Sequence, residues 1–207
     1  RLVGSEMCIR DRESGRNRWT ESIHNQIDRL STLTGQLLTL ARMDEENKIN
    51  TYGRFLLSQA ADETVSSFLA SAKLANKSID INIDNDIYMS GDEKQIRQMF
   101  NILLDNAVKY SEPDSKIVVS LYKKGSKIIF KTFNQVKDID KGNNDKIFER
   151  FYRRDTSRNS ETGGFGIGLS VAKLIVTAHK GKIQAVSKDG RSLSIIVTFS
   201  AVQSNSN

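Results

Sequence analysis

Hydrophobic and polar positions repeat along this chain with two periods, one typical of helices and one typical of strands. Over residues 92–110 the apolar side chains recur every three or four positions, which predicts an amphipathic helix with Asp92 as its N-cap. Similar spacing predicts helices over 59–76 and 167–178. Alternating or apolar runs predict strands over 52–57, 78–83, 87–89, 116–122, 127–133, 182–187 and 192–199. Helices on one face of a mixed sheet make an α/β (α+β) sandwich the expected fold class.

The helical period also predicts which side chains face the core. In the first helix these are Ala60, Val65, Phe68, Leu69 and Ala72; in the second Ile96, Met99, Phe100, Leu103 and Ala107; in the third Ile167, Val171, Leu174 and Ala178. Residues 135–163 show no such period and predict a long polar loop, which a compact domain seldom carries without a functional reason.

The segment from about residue 13 to residue 47 predicts one long helix. Its apolar side chains recur mostly at three and four positions, as Trp19, Ile23, Ile27, Leu30, Leu33, Leu37 and Leu40. Such a face needs a partner helix, because one amphipathic helix cannot bury it alone. Residues 1–12 fit neither period and resemble a translated sequencing adapter, so they are excluded from the fold. Residues 202–207 are expected to form a disordered tail.

Composition narrows the class of protein. With 38% apolar and 27% charged residues among 207, the chain is an ordinary globular protein, and no apolar run approaches the roughly 18 residues of a membrane span. Its net charge of +6 is spread along the chain, so no nucleic-acid partner is expected. The single cysteine, Cys8, excludes a disulfide framework, and His24 and His179 are too far apart to predict a zinc site.

Glycines open the third predicted helix directly after a group of arginines. Residues 163–169 are Gly-Gly-Phe-Gly-Ile-Gly-Leu, and they follow Arg150, Arg153, Arg154 and Arg158. Because the start of a helix leaves backbone N–H groups unpaired and carries partial positive charge, it attracts phosphate. The spacing fits neither a P-loop nor the GxGxxG motif of dinucleotide folds. A glycine loop that merely caps the helix is the alternative.

Asn106 lies on the flank of the buried face predicted for residues 92–110. At about 100° per residue, Asn101 points roughly 140° away and cannot share its site. An amide at the edge of a buried face is costly unless it is used. Its oxygen is a suitable Mg²⁺ ligand, and Lys109 would balance phosphate charge. A hydrogen bond from Asn106 to the backbone is the simpler alternative.

Three segments, in this order, resemble motifs of the ATP-binding catalytic domain of sensor histidine kinases, a Bergerat-type ATPase domain. NILLDNAVKYS (101–111) is similar to the N box, IFERFYRRD (147–155) to the F box, and GGFGIGLSVAKLIVTAHKG (163–181) to the G2 box with its helix. We therefore expect residues 51–201 to form this domain, and the resemblance implies ATP and Mg²⁺ as its cofactors.

The resemblance also implies a role for individual residues. Asn106 would ligate Mg²⁺, Lys109 would meet phosphate, and Tyr110 would pack on the nucleotide. Arg153 and Arg158 would reach the phosphates. The remaining pocket positions are Gly164, Gly166, Ile167, Gly168 and Leu169.

One motif departs from the family pattern. Where the G1 box normally has Asp-x-Gly-x-Gly, this chain has Asn134, Val136 and Asp138 at the Asp and Gly positions. An asparagine oxygen still accepts a hydrogen bond from adenine, but without charge assistance. Weakened adenine recognition is therefore expected, and the alternative is that Asn134 is only a turn residue. Ile102 also replaces a frequent asparagine in the N box.

Residues 13–50 resemble the second helix of the dimerisation and phosphotransfer hairpin. That resemblance implies a homodimer, transfer of the ATP γ-phosphoryl group to a histidine, and onward transfer to a response regulator. His24 is followed by Asn25-Gln26-Ile27 rather than the phosphoacceptor motif H-E-x-x-T/N-P. We therefore expect the chain to bind ATP without phosphorylating itself. Its parent is expected to be an integral protein of a bacterial cell membrane, with this portion in the cytoplasm.

Two other classes of protein stay open. The altered G1 box also fits a degenerate kinase that acts as a dimeric scaffold without catalysis. Another Bergerat enzyme, such as an anti-sigma serine kinase, would share the pocket but lack the preceding amphipathic helix, so residues 13–47 disfavour it.

Overall fold

The computed structural model describes residues 52–152 and 166–201, together with positions 19, 20, 23, 24, 26, 27, 34 and 35. The chain divides into two compact units, Arg1–Glu45 and Glu46–Asn207. In the first unit the eight described positions are all helical, and the single long helix over residues 13–47 stays a prediction. Trp19, Ile23 and Ile27 are 74%, 53% and 55% exposed. The rest of the apolar repeat (Leu30, Leu33, Leu37 and Leu40), residues 1–12 and residues 202–207 lie outside the described residues.

The described part of the second unit combines three α-helices with two sheets. A six-stranded mixed sheet has the order β2-β4-β5-β8-β7-β6, in which β2 and β4 are parallel and the other neighbours antiparallel, and β1 pairs with β3 in a separate antiparallel ribbon. In chain order the elements are β1 (Gly53–Leu56), α1 (Leu57–Leu74), β2 (Ser78–Ile83), β3 (Tyr88–Gly91), α2 (Glu93–Tyr110), β4 (Lys116–Lys124), β5 (Lys127–Gln135), β6 (Gly142–Asn143), a 3₁₀ helix (Asp145–Phe148), α3 (Gly168–Ala178), β7 (Lys182–Ser187) and β8 (Ser192–Ser200). The mixed α/β class is confirmed.

One face of the sheet is buried, and the helices pack against it. Successive side chains of a strand point to opposite faces, so Ile128, Phe130 and Thr132 of β5 are buried while the positions between them are only half-buried. Phe130 pairs with Leu121 on one side and Val197 on the other, and both are fully buried. The core therefore lies between this face and the helices.

Helix α2 is the helix that packs on the centre of the sheet. Asp92 caps it, since its carboxylate accepts a hydrogen bond from the Gln95 N–H at 3.1 Å. Its predicted buried face is confirmed in full and also includes Leu104. The Phe100 ring lies 4.5 Å, centroid to centroid, from the Phe130 ring of β5.

An ion pair joins α1 to α2. One Arg97 nitrogen lies 2.8 Å from a Glu63 oxygen on α1 and 2.7 Å from a Glu93 oxygen one turn earlier on α2. Hydrogen bonds from Gln59 and then from Arg97 lower the pKa of Glu63. This contact orients the two helices, although exposed ion pairs add little to stability.

Several predicted core positions were wrong. Leu69 is 42% exposed because the outer end of α1 carries mostly exposed residues, and Ala72 is the one buried residue of its last two turns. In α3 the buried face contains Val171, Ala172, Ile175 and Val176, while Leu174 is half-buried and Ala178 exposed. Since α3 is apolar on nearly all sides, its period does not select one face.

The segment predicted as a polar loop over 135–163 is partly folded. It contains β6 and the 3₁₀ helix, and Ile139, Asn144 and Phe148 are buried. The Asn144 side chain donates to the carbonyls of Asp140 at 2.7 Å and Gly142 at 3.1 Å, which pins the turn before the 3₁₀ helix. Within the part of the chain that the structure describes, no helix is both long and apolar enough to cross a membrane.

Replacing Phe100 with alanine tests the packing of α2 on the sheet. The change removes the contact with Phe130 and leaves a cavity in the core, so we expect the free energy of unfolding to fall by about 3–5 kcal/mol. Urea denaturation followed by circular dichroism measures it. Asn101→Ala, one residue further on the exposed side, is the matched control and should change stability by less than about 0.5 kcal/mol. Equal losses would contradict the packing described.

Candidate functional site

The ends of α2 and β5 lie together because the helix runs along the strand. Phe100 packs on Phe130, and further along both elements the Glu112 N–H donates to the Gln135 carbonyl at 3.0 Å. The last turn of α2 and the last residues of β5 therefore lie at one edge of the domain. This brings Asn106, Lys109 and Tyr110 to the same edge as Asn134.

Helix α3 packs against α2 and runs in the opposite direction. The two helices pack against each other, and the Asp92 N–H at the start of α2 donates to His179 Nε2 just after the end of α3, at 3.0 Å. The helices therefore run in opposite directions. The 11 residues of α3 span roughly 16 Å, so the start of α3 lies toward the C-terminal half of α2, the half that contains Asn106.

Asn106 offers a free amide at this junction. It is half-buried between the buried face of α2 and the exposed side, next to Ala107. Among the described residues, its side chain has no hydrogen-bond partner. The backbone-bonded alternative is therefore not what the structure contains, and the amide oxygen can accept or coordinate an added group.

Lys109 and Tyr110 flank this amide at the end of α2. Both are exposed, and the Lys109 ammonium lies 5.6 Å from the centroid of the Tyr110 ring. A cation and an aromatic face beside the free amide suit a ligand that carries both a phosphate group and a flat ring.

Asn134 lies at the end of β5 on the face that the helices cover. It is 3% exposed and pairs in register with Leu193 of β8. Its Nδ2 donates to the Gln135 carbonyl over 3.4 Å, a long hydrogen bond that holds the side chain weakly. Asn134 is therefore a buried amide inside the domain rather than an exposed turn residue.

Among the described residues, no side chain caps the start of α3. The first turn of this helix contains no acidic residue. Ser170 donates its hydroxyl to the Ile167 carbonyl at 2.7 Å, so it does not act as a cap. Ile167 is buried, whereas Gly168 and Leu169 are half-buried. An anion at this helix start would find unpaired donors and a favourable dipole.

Gly166 fixes the backbone just before α3. Its φ is +72°, and a Cβ there would lie 2.9 Å from the Phe151 carbonyl carbon and from the Tyr152 oxygen. The Phe151 N–H donates to the Gly166 carbonyl at 2.9 Å. Both the conformation and the space therefore require glycine.

Other predicted residues either lie outside the described residues or belong to a loop, and one contact was missed. Arg153, Arg158 and Gly164 lie outside the described residues. Val136 donates its N–H to the Arg191 carbonyl at 2.9 Å, and Asp138 is exposed, so both belong to the loop after β5. From the sequence, His179 was considered only as a zinc ligand; its ring accepts a hydrogen bond from the Asp92 N–H, which no local pattern signals.

Comparison with known proteins decides the family. Residues 91–203, more than half of the chain, match the family described as histidine kinase-, DNA gyrase B-, and HSP90-like ATPase. The chain belongs to this ATPase family. The match begins at Gly91, directly before α2, and so includes every element of the site described above.

Proteins with similar sequences include sensor proteins and sensor histidine kinases. Sensor protein DltS of Streptococcus agalactiae is 34% identical over 82% of this chain and 42% of its own length, and sensor histidine kinase YkoH of Bacillus subtilis is 32% identical over 87% and 38%. The chain thus spans less than half the length of these relatives. Histidine kinase ThkA, solved with response regulator protein TrrA, shares the fold with a TM-score of 0.69 at 20% identity, over 89% of this chain and 51% of that one. Within the ATPase family, the chain is thus similar to the C-terminal portion of sensor histidine kinases.

Gly166→Ala tests the close approach before α3, with Gly125→Ala as its control. Both glycines have positive φ, +72° and +58°, but a Cβ at Gly125 meets nothing within 4 Å. Each change should therefore lower the free energy of unfolding by about 1–2 kcal/mol, because alanine disfavours a left-handed backbone. Only Gly166→Ala should lower it by about 1–3 kcal/mol more, because the Phe151 backbone must move. Chemical denaturation of the two variants measures the difference, and equal stabilities would show that the contact is not tight.

Proposed function

We propose that this chain binds Mg²⁺-ATP at the junction of α2, α3 and β5 and presents its γ-phosphoryl group for transfer to a histidine. The observation that carries the proposal is the half-buried Asn106 amide, without a hydrogen-bond partner among the described residues, on the helix against which α3 packs. Among the described residues, the start of α3 also has no side-chain cap. A ligand that carries both a metal ion and phosphate satisfies the two together.

Each side chain then has a distinct task. The Asn106 oxygen coordinates the metal, Lys109 meets phosphate, and Tyr110 packs on the nucleotide. The backbone at Gly166 and Gly168 lines the phosphate end of the pocket, and α3 turns its dipole toward that end. The proposal also assigns pocket roles to Gly164, Ile167 and Leu169, and it assigns phosphate contacts to Arg153 and Arg158.

Mg²⁺ fits the donors present. Among the described residues, no group of three or more His, Cys, Asp or Glu side chains could hold a metal ion. A magnesium ion at a nucleotide site needs only one or two protein oxygens, because phosphate and water complete its shell. The bound ion neutralises charge on the phosphates, and the protein contributes mainly position and electrostatic stabilisation.

Asn134 is proposed to read the base. Its buried amide can accept a hydrogen bond from an amino group of adenine, but a neutral acceptor forms a weaker bond than a carboxylate. The altered G1 positions therefore also support a second candidate, a scaffold that retains the fold without binding nucleotide. The free amide of Asn106 favours the binding function.

The proposed phosphoryl acceptor and the proposed partner proteins lie outside this chain. Neither histidine of the sequence fits the acceptor role, since His24 is exposed without the H-E-x-x-T/N-P motif and His179 is buried. ThkA was solved with a response regulator, and we propose a receiver domain as the next acceptor here as well.

The exposed Trp19, Ile23 and Ile27, at helical spacing, support a homodimer through this helix. Membrane attachment of the parent protein stays a prediction.

Isothermal titration calorimetry with ATP and millimolar magnesium tests the binding function. We expect the wild-type chain to bind, and Asn106→Ala to bind about tenfold more weakly or worse, as when groups that hold a metal are removed. Asn101→Ala is the matched control, since it removes the same amide from the opposite side of the same helix. Absence of binding by the wild type would support the scaffold instead.

Incubation with ATP labelled in the γ-phosphate tests the acceptor assignment. The chain alone should gain no acid-labile phosphate, because it offers no histidine in a phosphoacceptor setting. The positive control adds a phosphotransfer hairpin that carries the H-E-x-x-T/N-P motif, and this hairpin should gain the label. Acid-labile label on the chain by itself would contradict the assignment.

A further inference from the structure

His179 is a buried titratable side chain that the proposed site does not use. It is 8% exposed and follows the last residue of α3. Its Nδ1 lies 2.8 Å from the Ile175 carbonyl oxygen, and its Nε2 lies 3.0 Å from the Asp92 nitrogen at the start of α2. Because a carbonyl only accepts and an amide N–H only donates, the ring carries its proton on Nδ1 and is neutral.

Neighbouring groups fix this ring from two sides. A Cβ on Gly91 would lie 2.6 Å from His179 Cδ2 and 3.0 Å from Nε2, so no side chain fits between β3 and the ring. On another side the Tyr52 ring stacks at 5.4 Å between centroids, and its hydroxyl donates to the Ala178 carbonyl at 3.0 Å. His179 is thus held by the residues that enter β1, by the end of β3 and by the start of α2.

This one imidazole sets the register between the two helices that form the site. It bonds to its own helix through Ile175 and to α2 through Asp92, the residue that also caps α2. Since the helices run in opposite directions, the contact at one end determines where Gly168 stands relative to Asn106 at the other. A shift of α3 along α2 at the His179 end would move the phosphate end by the same amount.

We propose that His179, as the neutral Nδ1–H tautomer, is a positioning residue for the nucleotide site. It touches neither nucleotide nor metal and acts through the alignment of α2 and α3. The inference rests on the proposed Mg²⁺-ATP site, but its geometry is tested independently of binding.

Three variants separate positioning from general stability. His179→Ala removes the bridge, His179→Gln restores an oxygen that can accept from the Asp92 N–H, and Thr177→Ala is the control. The Thr177 hydroxyl is exposed and donates only to Lys173 within α3, at 2.9 Å. Mg²⁺-ATP affinity is measured by calorimetry well below the unfolding midpoint of each variant. We expect His179→Ala to bind roughly tenfold more weakly than the wild type and His179→Gln to recover much of that affinity. Thr177→Ala should bind with wild-type affinity. Wild-type affinity in folded His179→Ala would overturn the proposal.

The wild-type chain supplies a second measurement that needs no variant to fold. Nitrogen-15 NMR of the imidazole at neutral pH should show a neutral ring protonated at Nδ1, and the Asp92 amide should exchange slowly with solvent. A ring protonated at Nε2, or an imidazolium, would overturn the proposal because the Asp92 bond could not form. If the wild type binds no nucleotide, the proposed function fails on its own, and the NMR result still decides whether the bridge exists.

Discussion

The packing of α2 on the central strand of the sheet is the contact on which the site depends. Phe100 against Phe130 fixes where the helix lies, and the bond from Glu112 to Gln135 fixes its direction along β5. Burial of such aromatic side chains contributes about 2–3 kcal/mol each, more than any single polar contact at the edge of the domain. The polar residues at the end of α2 and β5 are therefore positioned by the core, and the ion pair between α1 and α2 only refines the arrangement.

Sequence periodicity predicted α2 far better than α3, for a physical reason. In α2 the apolar and charged residues separate cleanly around the helix, and Asp92 gives a capping signal with a known partner position. The face, the cap and the flank position of Asn106 were therefore all predictable. In α3 nearly every residue is apolar or small, so the buried face is selected by contacts with α2 and β7 rather than by the pattern.

Features that depend on distant residues could not be predicted. The role of His179 requires that the end of α3 meet Asp92, 87 positions earlier in the chain, and nothing near His179 signals it. Asp145, which accepts from the Ala185 N–H at 2.8 Å, attaches the 3₁₀ helix to β7 in the same way. The parallel pairing of β2 with β4 also follows from tertiary packing, because strand patterns carry no direction.

Two features near the proposed nucleotide site are not required by the core. Asn106 keeps a half-buried amide without a partner among the described residues, and Phe151 takes a φ of +64° beside Gly166. The left-handed conformation of Phe151 costs on the order of 1–3 kcal/mol and adds nothing to the core. A scaffold needs neither this conformation nor a polar side chain at position 106. Such departures are expected at functional sites, where a ligand satisfies what the fold leaves open. The half-buried amide of Asn106 and the left-handed Phe151 beside Gly166 are the physical reasons to favour a phosphate-bearing, metal-bound ligand over an empty pocket.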